Sequence, residues 1–326
     1  MSLADTIQAG WYENGRLPWW CYPLAVLYGA VITTRRAFYR QGWLRSVRLN
    51  CPVIVVGNLT AGGAGKTPLT LALIDALRTR GYRPGVVSRG YGGRRSQPML
   101  LDDKPDPAEV GDEPCLIRAA GVSVAIGRDR SVAAQLLIDA GCNVIVADDG
   151  LQHYRLARDI EICVIDGERR FGNERLLPAG PLREPLQRLD AVDFLVCNGG
   201  TPQPGEIPMR LQGGIVRELR SGQEQSMAGF SGKRVHAVAA IGNPQRFFAS
   251  VAAHGIDVIA HPFADHHAFV PADLAFEDSL PVLMTEKDAA KCRAFAQPGW
   301  WSVPVKAELP TAFYDALCAR FGGDKT

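Results

Sequence analysis

The sequence has almost no net charge and no closely spaced pair of cysteines. Lys and Arg number 36 and Asp and Glu number 34 among 326 residues, which leaves a net charge of +2. Because nucleic-acid binders usually carry a strongly basic field, we expect no nucleic-acid partner. The eight cysteines include no CxxC pair, so the sequence indicates neither a zinc site nor a dithiol redox site. We expect them to be small buried side chains in a reducing compartment.

Acidic residues are missing from one part of the N-terminal region. No Asp or Glu lies between Glu13 and Asp75. The basic residues in the same stretch are Arg16, Arg35, Arg36, Arg40, Arg45, Arg48 and Lys66. A segment with charge of one sign is attracted to an anionic surface, such as a phospholipid leaflet or a phosphorylated ligand.

Long apolar runs are also scarce, and the clearest one covers residues 17–34. It contains Pro18 and Pro23 and is marginal for a membrane-spanning helix, which needs about 20 residues. Acidic residues precede it, which does not fit a secretory signal peptide. Aromatic residues beside a basic flank are typical of a helix in the membrane interface, and here they are Trp11, Trp19, Trp20, Tyr22 and Tyr28. We predict an interfacial anchor, with the rest of the chain on the cytoplasmic side; a helix buried against the protein is the alternative.

From residue 51 onward, short apolar strands alternate with amphipathic helices. The predicted strands of the first part cover residues 53–56, 85–88, 122–126, 144–147, 160–165 and 194–197. Those of the second part cover residues 235–240, 258–261, 282–284 and 301–305. Such alternation predicts parallel βαβ units with helices on both faces of a sheet. The predicted fold class is therefore α/β: a P-loop domain with a parallel sheet in an α/β/α arrangement, and a second, smaller α/β domain.

The predicted division of the chain follows these changes in pattern. Residues 1–48 form an N-terminal, membrane-associated helical segment, and residues 49–206 form the nucleotide-binding domain. Residues 207–230 look like two polar strands around Ser221-Gly222 and are predicted to be a β-hairpin linker. Residues 231–326 form the C-terminal α/β domain.

A glycine-rich loop follows the first predicted strand. The sequence VIVVGNLTAGGAGKTP, residues 53–68, joins an apolar strand, a loop and a Lys-Thr pair that opens a helix. Glycines let backbone N–H groups turn toward a polyphosphate, and the helix N-terminus adds its dipole. In this pattern Lys66 contacts the β- and γ-phosphates, and the hydroxyl of Thr67 binds Mg²⁺. The predicted ATP-binding residues are Thr60, Ala61, Gly62, Gly63, Ala64, Gly65, Lys66 and Thr67.

This loop departs from the strict GxxxxGK[ST] pattern at one position. Thr60 stands where that pattern has glycine. The run resembles instead the GGxGKT variant of the P-loop class that includes partitioning ATPases and metallochaperone GTPases. A glycine-rich turn without a nucleotide is the alternative.

Two carboxylates end the strand predicted at residues 144–147. In an open parallel sheet the carboxyl ends of the strands line the ligand crevice, so Asp148 and Asp149 should lie beside the phosphates. Carboxylate oxygens suit Mg²⁺, and we predict a metal site made of Thr67, Asp148 and Asp149. A turn aspartate with a helix cap is the alternative.

Five further clusters are candidates for binding an acceptor and for acid–base chemistry. SRGYGGR, residues 88–94, follows a strand, and its Ser88, Arg89 and Tyr91 could hold an anionic acceptor; a flexible basic turn is the alternative. GDEP places Asp112 at a helix start, where an N-cap is the alternative. The remaining clusters are DGLQH with Gln152, PAGPLREP with Arg183, and FADHHAF with His266 and His267. No further Cys or His lies at ligand spacing from that histidine pair, so a general-base or orienting role fits better than a metal.

Taken in order, GNLTAGGAGKTP, SRGYGG, GDEP, DDGLQH, PAGPLREP, DHH and MTEKDAAK resemble the tetraacyldisaccharide 4′-kinase (lipid A 4′-kinase) family over residues 17–291. This resemblance implies two α/β domains joined by a two-stranded linker, with ATP in the cleft between them. It implies a helix associated with the inner membrane and, as acceptor, the 4′-hydroxyl of a tetraacylated glucosamine disaccharide 1-phosphate. It also implies that the GDEP aspartate and a histidine of the second domain activate the hydroxyl, which by position are Asp112 and His266.

The expected mechanism is phosphoryl transfer by positioning and charge stabilisation. Lys66 and Mg²⁺ neutralise charge on the β–γ bridge, Asp112 oriented by His266 accepts the hydroxyl proton, and Arg183 supplies a further cation. The expected partners are the lipid-linked disaccharide and an anionic membrane leaflet, without an obligate protein partner. Two other hypotheses stay open: a membrane-recruited P-loop ATPase switch, and a soluble small-molecule kinase whose apolar N-terminal run is core.

Overall fold

The computed structural model describes residues 3–13, 15–265 and 267–322. In these ranges the helices are α1 (Leu3–Tyr12), α2 (Cys21–Arg40), α3 (Lys66–Thr79), α4 (Pro107–Val110), α5 (Asp112–Ala119), α6 (Arg130–Asp139), α7 (Pro244–Ala252), α8 (Glu286–Cys292) and α9 (Thr311–Gly322). Short 3₁₀ helices cover Leu186–Ala191, Met227–Phe230, Pro271–Leu274 and Arg293–Phe295.

Two sheets organise the chain. The strands are β1 (Val53–Gly57), β2 (Pro84–Ser88), β3 (Met99–Leu100), β4 (Ser123–Ile126), β5 (Val144–Asp148), β6 (Ile160–Asp166), β7 (Phe194–Asn198), β8 (Glu206–Gln212), β9 (Ile215–Glu218), β10 (Glu224–Ser226), β11 (Arg234–Ala239), β12 (Asp257–Pro262), β13 (Val282–Thr285), β14 (Trp300–Val303) and β15 (Lys306–Glu308). The larger sheet has the order β15-β8-β7-β6-β1-β5-β2-β4-β3, and the smaller has the order β10-β9-β14-β13-β11-β12.

The larger sheet is parallel except at its two edges. Strands β8 to β4 run parallel through β1 at the centre, while β15 and β3 pair antiparallel with their neighbours. Alternate residues of β1 face opposite cores: Ile54 packs on the side of α3, and Val55 on the side of α6. Burial on both faces explains why these strands are continuous apolar runs. The prediction of an α/β P-loop fold with a parallel sheet is confirmed.

The smaller sheet has a parallel centre made of β12, β11, β13 and β14. One of its faces packs on α7 through Phe247 and Val251, and the other packs on α8 through Ala289 and Cys292. Strands β9 and β10 form an antiparallel hairpin that extends this sheet at β14.

The chain passes between the two sheets twice, and this differs from the expected domain limits. Residues 207–230 were expected to be a separate linker, but β8 belongs to the larger sheet while β9 and β10 belong to the smaller. The C-terminal residues also return to the larger sheet. There β15 pairs with β8, and Phe313 and Leu317 of α9 enter the core beside α3. Burying this apolar face of α9 against the larger sheet removes it from water, which explains the return.

The N-terminal helix α2 lies on the larger unit but leaves an apolar face exposed. Tyr28 donates a hydrogen bond to the carbonyl oxygen of Arg183 at 3.0 Å, and Arg35 donates one to that of Gln152 at 3.1 Å. Trp19, Val26 and Leu27 are 79%, 74% and 61% exposed. Within the described residues, no helix has the length and apolar character needed to cross a membrane.

Four of the five aromatic residues expected in a membrane belt fall into two groups. Trp19 and Tyr22 are exposed. Trp11, however, donates its indole N–H to the carbonyl oxygen of Pro178 at 3.0 Å, and Tyr28 is hydrogen-bonded to the Arg183 backbone. These two residues attach the N-terminal helices to the loop that carries Arg183.

Candidate active site

The glycine-rich loop connects the central strand β1 to α3, as the sequence predicts. The helix begins at Lys66, and Gly65 before it has φ = 93°, a left-handed conformation that favours glycine. A Cβ atom at Gly65 would lie 2.1 Å from the side-chain nitrogen of Asn198. Glycine is thus required at this position for both conformation and space.

Two asparagines hold this loop, and neither is among the site residues predicted from the sequence. The side-chain amide of Asn58 donates to the carbonyl oxygen of Thr60 at 2.7 Å, and that of Asn198 donates to the carbonyl oxygen of Ala64 at 2.9 Å. Asn58 follows β1 directly and Asn198 ends β7. A polar residue at the carboxyl end of an apolar strand is the signal that could have found them.

Lys66 is almost buried and already has polar neighbours. Its side chain is 9% exposed, and its Nζ lies 3.3 Å from Oδ1 of Asn58 and 3.5 Å from Oδ1 of Asp149. The structure thus brings the loop lysine and the carboxylate at the end of β5 together, as predicted. A cation held among polar groups at a helix N-terminus suits the binding of phosphate oxygens.

Asp148 ends β5 and is completely buried. Its Oδ1 accepts a hydrogen bond from Thr70 at 3.1 Å, while no described residue donates to Oδ2. Burial, together with the nearby carboxylates of Glu113 and Asp149, raises the pKa of Asp148 to about 7, although Lys66 and Thr70 act in the opposite direction.

The surroundings of Asp149 favour its ionised form, in contrast to those of Asp148. Both of its carboxylate oxygens accept hydrogen bonds from Arg183, at 2.9 and 3.0 Å. Burial alone would raise the pKa of Asp149, but Lys66, Arg183 and Arg130 hold that pKa well below its usual range. The predicted site residues Lys66, Asp149 and Arg183 thus form one contiguous charged cluster.

This contrast predicts how stability depends on pH. Because the folded-state pKa of Asp148 is raised, its protonated form favours folding, and this contribution is lost as pH rises from about 4 to about 7. We expect Asp148→Asn, measured with EDTA and without nucleotide, to raise Tm by about 5 °C at pH 8 and by less at pH 5. Asp149→Asn is the matched control and should lower Tm at both pH values. An equal rise in Tm for Asp148→Asn at the two pH values would contradict a raised pKa for Asp148.

The SRGYGGR and GDEP motifs pack against each other at the next strand ends. Ser88 is the buried last residue of β2, whereas Arg89 and Tyr91 are exposed. A Cβ atom at Gly111 would lie 2.3 Å from the carbonyl oxygen of Tyr91, so the two loops are in close contact. Asp112 follows as the first residue of α5. The structure therefore places the candidate acceptor-binding residues beside the candidate base.

Residues of the smaller sheet approach Asp112 from across the cleft. Lys291 of α8 lies with its Nζ 3.2 Å from Oδ2 of Asp112, and Lys287 lies 3.6 Å from Oε1 of Glu113. Both lysines belong to the motif MTEKDAAK, and the sequence alone predicts no role for either of them. His266, the predicted partner of Asp112, lies outside the described residues, whereas His267 pairs with Asp273 at 2.9 Å.

A second contact closes the cleft at the phosphate loop. A Cβ atom at Gly242 would lie 2.3 Å from the backbone nitrogen of Gly63, so the turn after β11 touches the loop directly. Arg246 of α7 donates to the side-chain oxygen of Asn198, and Arg169 donates to the carbonyl oxygen of Gly242. The phosphate loop is thus contacted by both units.

Comparison with known proteins agrees with this arrangement. The family model described as LpxK, tetraacyldisaccharide-1-P 4'-kinase, matches residues 17–322. The chain belongs to this family. A tetraacyldisaccharide 4'-kinase of Stenotrophomonas maltophilia is 52% identical over 321 residues, which are 95% of both chains. One from Xanthomonas axonopodis pv. citri is 51% identical over 98% of this chain and 97% of its own.

A solved structure of the same family shares the fold. LpxK from Aquifex aeolicus, crystallised in complex with ATP, is 28% identical, with a TM-score of 0.76 over 92% of this chain and 98% of its own. The match to the tetraacyldisaccharide 4'-kinase family therefore spans both sheets.

Gln152, predicted to bind the acceptor, has protein partners in this kinase. Its side-chain amide donates to the carbonyl oxygen of Asn58 at 3.2 Å and to Oε2 of Glu184 at 3.0 Å. It therefore links the phosphate loop to the loop that carries Arg183. Acceptor binding by Gln152 stays a prediction.

Proposed function

We propose that this chain transfers the γ-phosphoryl group of ATP to the 4′-hydroxyl of a tetraacylated glucosamine disaccharide 1-phosphate, a step of lipid A biosynthesis. The observation that carries this proposal is the pairing of two sites on one cleft. The P-loop with Lys66 lies at the end of β1, and Asp112 lies at the start of α5 with Lys291 of the other unit against it. A kinase needs both a phosphate site and a base for the acceptor, whereas a nucleotide switch needs only the first.

Several charged groups of the cleft have a role in this proposal. Residues 60–67 hold the ATP phosphates through backbone N–H groups, and Lys66 neutralises charge at the β–γ bridge. Arg183, which donates two hydrogen bonds to Asp149, supplies a second cation near the transferred group. Asp112 accepts the proton as the acceptor oxygen bonds to phosphorus, and His266 orients it. Closure of the cleft excludes water, which would otherwise compete as the acceptor.

The residues at the end of β5 suit Mg²⁺. Asp148 presents a buried oxygen to which no described residue donates, and Asp149 and the hydroxyl of Thr67 add the hard oxygen ligands that this ion prefers. We assign Thr67, Asp148 and Asp149 to hold it. When bound, the ion would neutralise part of the negative charge of the phosphate groups.

The acceptor head group would lie at the ends of β2 and β4. Arg89 and Tyr91 are exposed beside the turn that precedes Asp112, and Ser88 is the last residue of β2, the strand before them in the chain. A guanidinium group suits a sugar phosphate, because it forms charge-assisted hydrogen bonds to the phosphate oxygens. We assign these three residues and Gln152 to the acceptor.

Transfer of radiolabel tests the proposed function. The purified protein is incubated with [γ-³²P]ATP, Mg²⁺ and the disaccharide 1-phosphate lipid in mixed micelles, without a second protein or nucleic acid. We expect labelled lipid, because the acceptor hydroxyl and the γ-phosphate meet in one cleft. Free phosphate released at the same rate with and without lipid, and no labelled lipid, would instead indicate a P-loop ATPase switch.

Helix α2 is proposed to lie in the interface of an anionic inner-membrane leaflet. Its exposed Val26, Leu27 and Val31 stand on the helix that bears Arg35 and Arg36, a combination that suits acidic lipids. Such a position would leave acyl chains in the membrane while the sugars reach the cleft.

Charges placed on this apolar face should release the protein from membranes. We expect Val26→Asp, Leu27→Asp and Val31→Asp, combined in one variant, to lower binding to phosphatidylglycerol vesicles at least about tenfold, because burying the new charges in the interface is costly. Co-sedimentation measures the bound fraction. Val132→Asp, at an exposed valine on α6, is the control and should bind like the wild type. Unchanged binding of the triple variant would contradict the placement of α2.

A further inference from the structure

Two lysines of α8 face two acids of α5 across the cleft. Lys287 and Lys291 are four residues apart and therefore lie on one side of the helix. Lys291 lies 3.2 Å from Asp112, while Lys287 lies 3.6 Å from both Glu113 and Asp265. The two pairs differ in what they contact, since only Lys291 touches the proposed base.

The Lys291–Asp112 pair is largely removed from solvent. The Lys291 side chain is 10% exposed and that of Asp112 is 14% exposed. Ion pairs at exposed positions contribute little to stability. In a pair shielded from water, each charge favours the ionised form of its partner much more strongly.

Lys291 has further polar contacts within its own unit. Its Nζ donates to the carbonyl oxygen of His267 at 3.1 Å and lies 3.5 Å from Oδ1 of Asp288. Asp288 is completely buried, and its Oδ2 accepts hydrogen bonds from Thr285 at 2.6 Å and from the backbone N–H of Ala240 at 2.9 Å. The ammonium group is thus fixed by its own unit and presented to Asp112 of the other.

We propose that Lys291 is a positioning residue for the phosphoryl transfer: it holds the carboxylate of Asp112 ionised and in place when the two units meet. This inference rests on the proposed function. In the reaction the acceptor O–H bond and the bond from the γ-phosphorus to the bridging oxygen break, and an O–P bond forms. The proton passes to Asp112, and ADP leaves with the bridging oxygen. Lys291 neither gives nor takes a proton.

Among the described residues, Lys291 is a cation in an ion pair with Asp112, and other charged groups lie nearby. Helix α8 contributes Lys287, Lys291 and Asp288, and the loop after β12 contributes Asp265 and His267. Helices α4 and α5 contribute Glu109 and Glu113, and Glu109 forms an ion pair with Arg95. An opposite charge within about 4–6 Å lowers a carboxyl pKa by about one to three units. Removing Lys291 should therefore make Asp112 titrate at higher pH.

The test compares pH profiles of lipid phosphorylation for Lys291→Met with Lys287→Met as the matched control. For Lys291→Met we expect kcat to fall at least about tenfold near pH 7 and the acidic limb of its profile to move up by about one pH unit. The KM for ATP should change less than about twofold. Lys291→Arg keeps the charge and should retain the limb of the wild type. Lys287→Met, which loses an equal charge on the same helix, should leave the limb in place.

Three results would overturn this role of Lys291. They are an acidic limb that stays in place for Lys291→Met, an equal shift of the acidic limb for Lys287→Met, and a further loss of kcat when Lys291→Met is added to Asp112→Asn. The last result would count against this role because a residue that acts through Asp112 has no effect without it. If Lys291→Met is not folded by circular dichroism, Lys291→Gln replaces it and retains a donor for the His267 carbonyl. Wild-type protein that labels no lipid refutes the proposed function, whereas labelled lipid with an unmoved limb refutes only the role of Lys291.

Discussion

Lys66→Ala is expected to reduce lipid phosphorylation at least about a thousandfold. Lys66 is 9% exposed at the N-terminus of α3, and no solvent cation can reproduce its position. Charge accumulates on the β–γ bridge and on the transferred group, and a single well-placed cation there contributes about 10³-fold or more. The measurement is the initial rate of ³²P transfer to the lipid at saturating ATP.

The control for this prediction is a lysine outside the cleft. Lys233 is exposed on the smaller unit, where its ammonium lies 5.9 Å from the ring centroid of Phe230. Lys233→Ala should transfer phosphate at the wild-type rate. Activity of Lys66→Ala within about tenfold of wild type would show that the loop is not the site of phosphoryl transfer.

Asp112→Asn is expected to lower kcat at least about a hundredfold while ATP still binds. Asparagine keeps the shape of the side chain but cannot accept the hydroxyl proton, and loss of a general base costs about 10²–10⁴ in rate. Asp112 begins α5, whereas the phosphate loop begins α3, so the ATP site itself is not altered. The rate is measured by lipid labelling, and ATP affinity by calorimetry on the same preparation.

Glu113→Gln is the matched control for Asp112→Asn. Glu113 is the next residue of the same helical turn and pairs with Lys287 instead of Lys291. Its substitution removes one negative charge from the same place without removing the proposed base, so we expect a loss of less than about tenfold. Equal losses in the two variants would assign the effect to the charge of the turn and not to proton transfer.

Much of the nucleotide site could be predicted from the sequence because its signals are local. The loop from Gly62 to Lys66 lies between an apolar strand and a helix, and that order alone places it at the edge of a parallel sheet. The same argument placed Asp148 and Asp149 beside it, and the structure brings Asp149 to 3.5 Å from Lys66.

The supports of that site could not be predicted, because they join residues far apart in the chain. Asn198 lies 134 residues from Ala64, whose carbonyl oxygen it binds, and Lys291 reaches Asp112 from the other sheet. The strand end at Asn198 marks it as a candidate polar residue, but the local sequence around Asn198 or Lys291 does not show which distant residue each of them contacts. Only the packing of two units against each other selects these partners.

The sequence by itself determined the fold class, the phosphate loop and the family, since each depends on periodicity or on motifs of a few neighbouring residues. The tertiary structure decided which cations hold which carboxylates: Arg183 with Asp149, and Lys291 with Asp112. It also decided that α9 packs against the larger sheet and that α2 attaches through Tyr28 to the loop carrying Arg183. The physical reason is that hydrophobic burial has no direction along the chain, so the pairing of distant surfaces is fixed only when both sheets are folded and in contact.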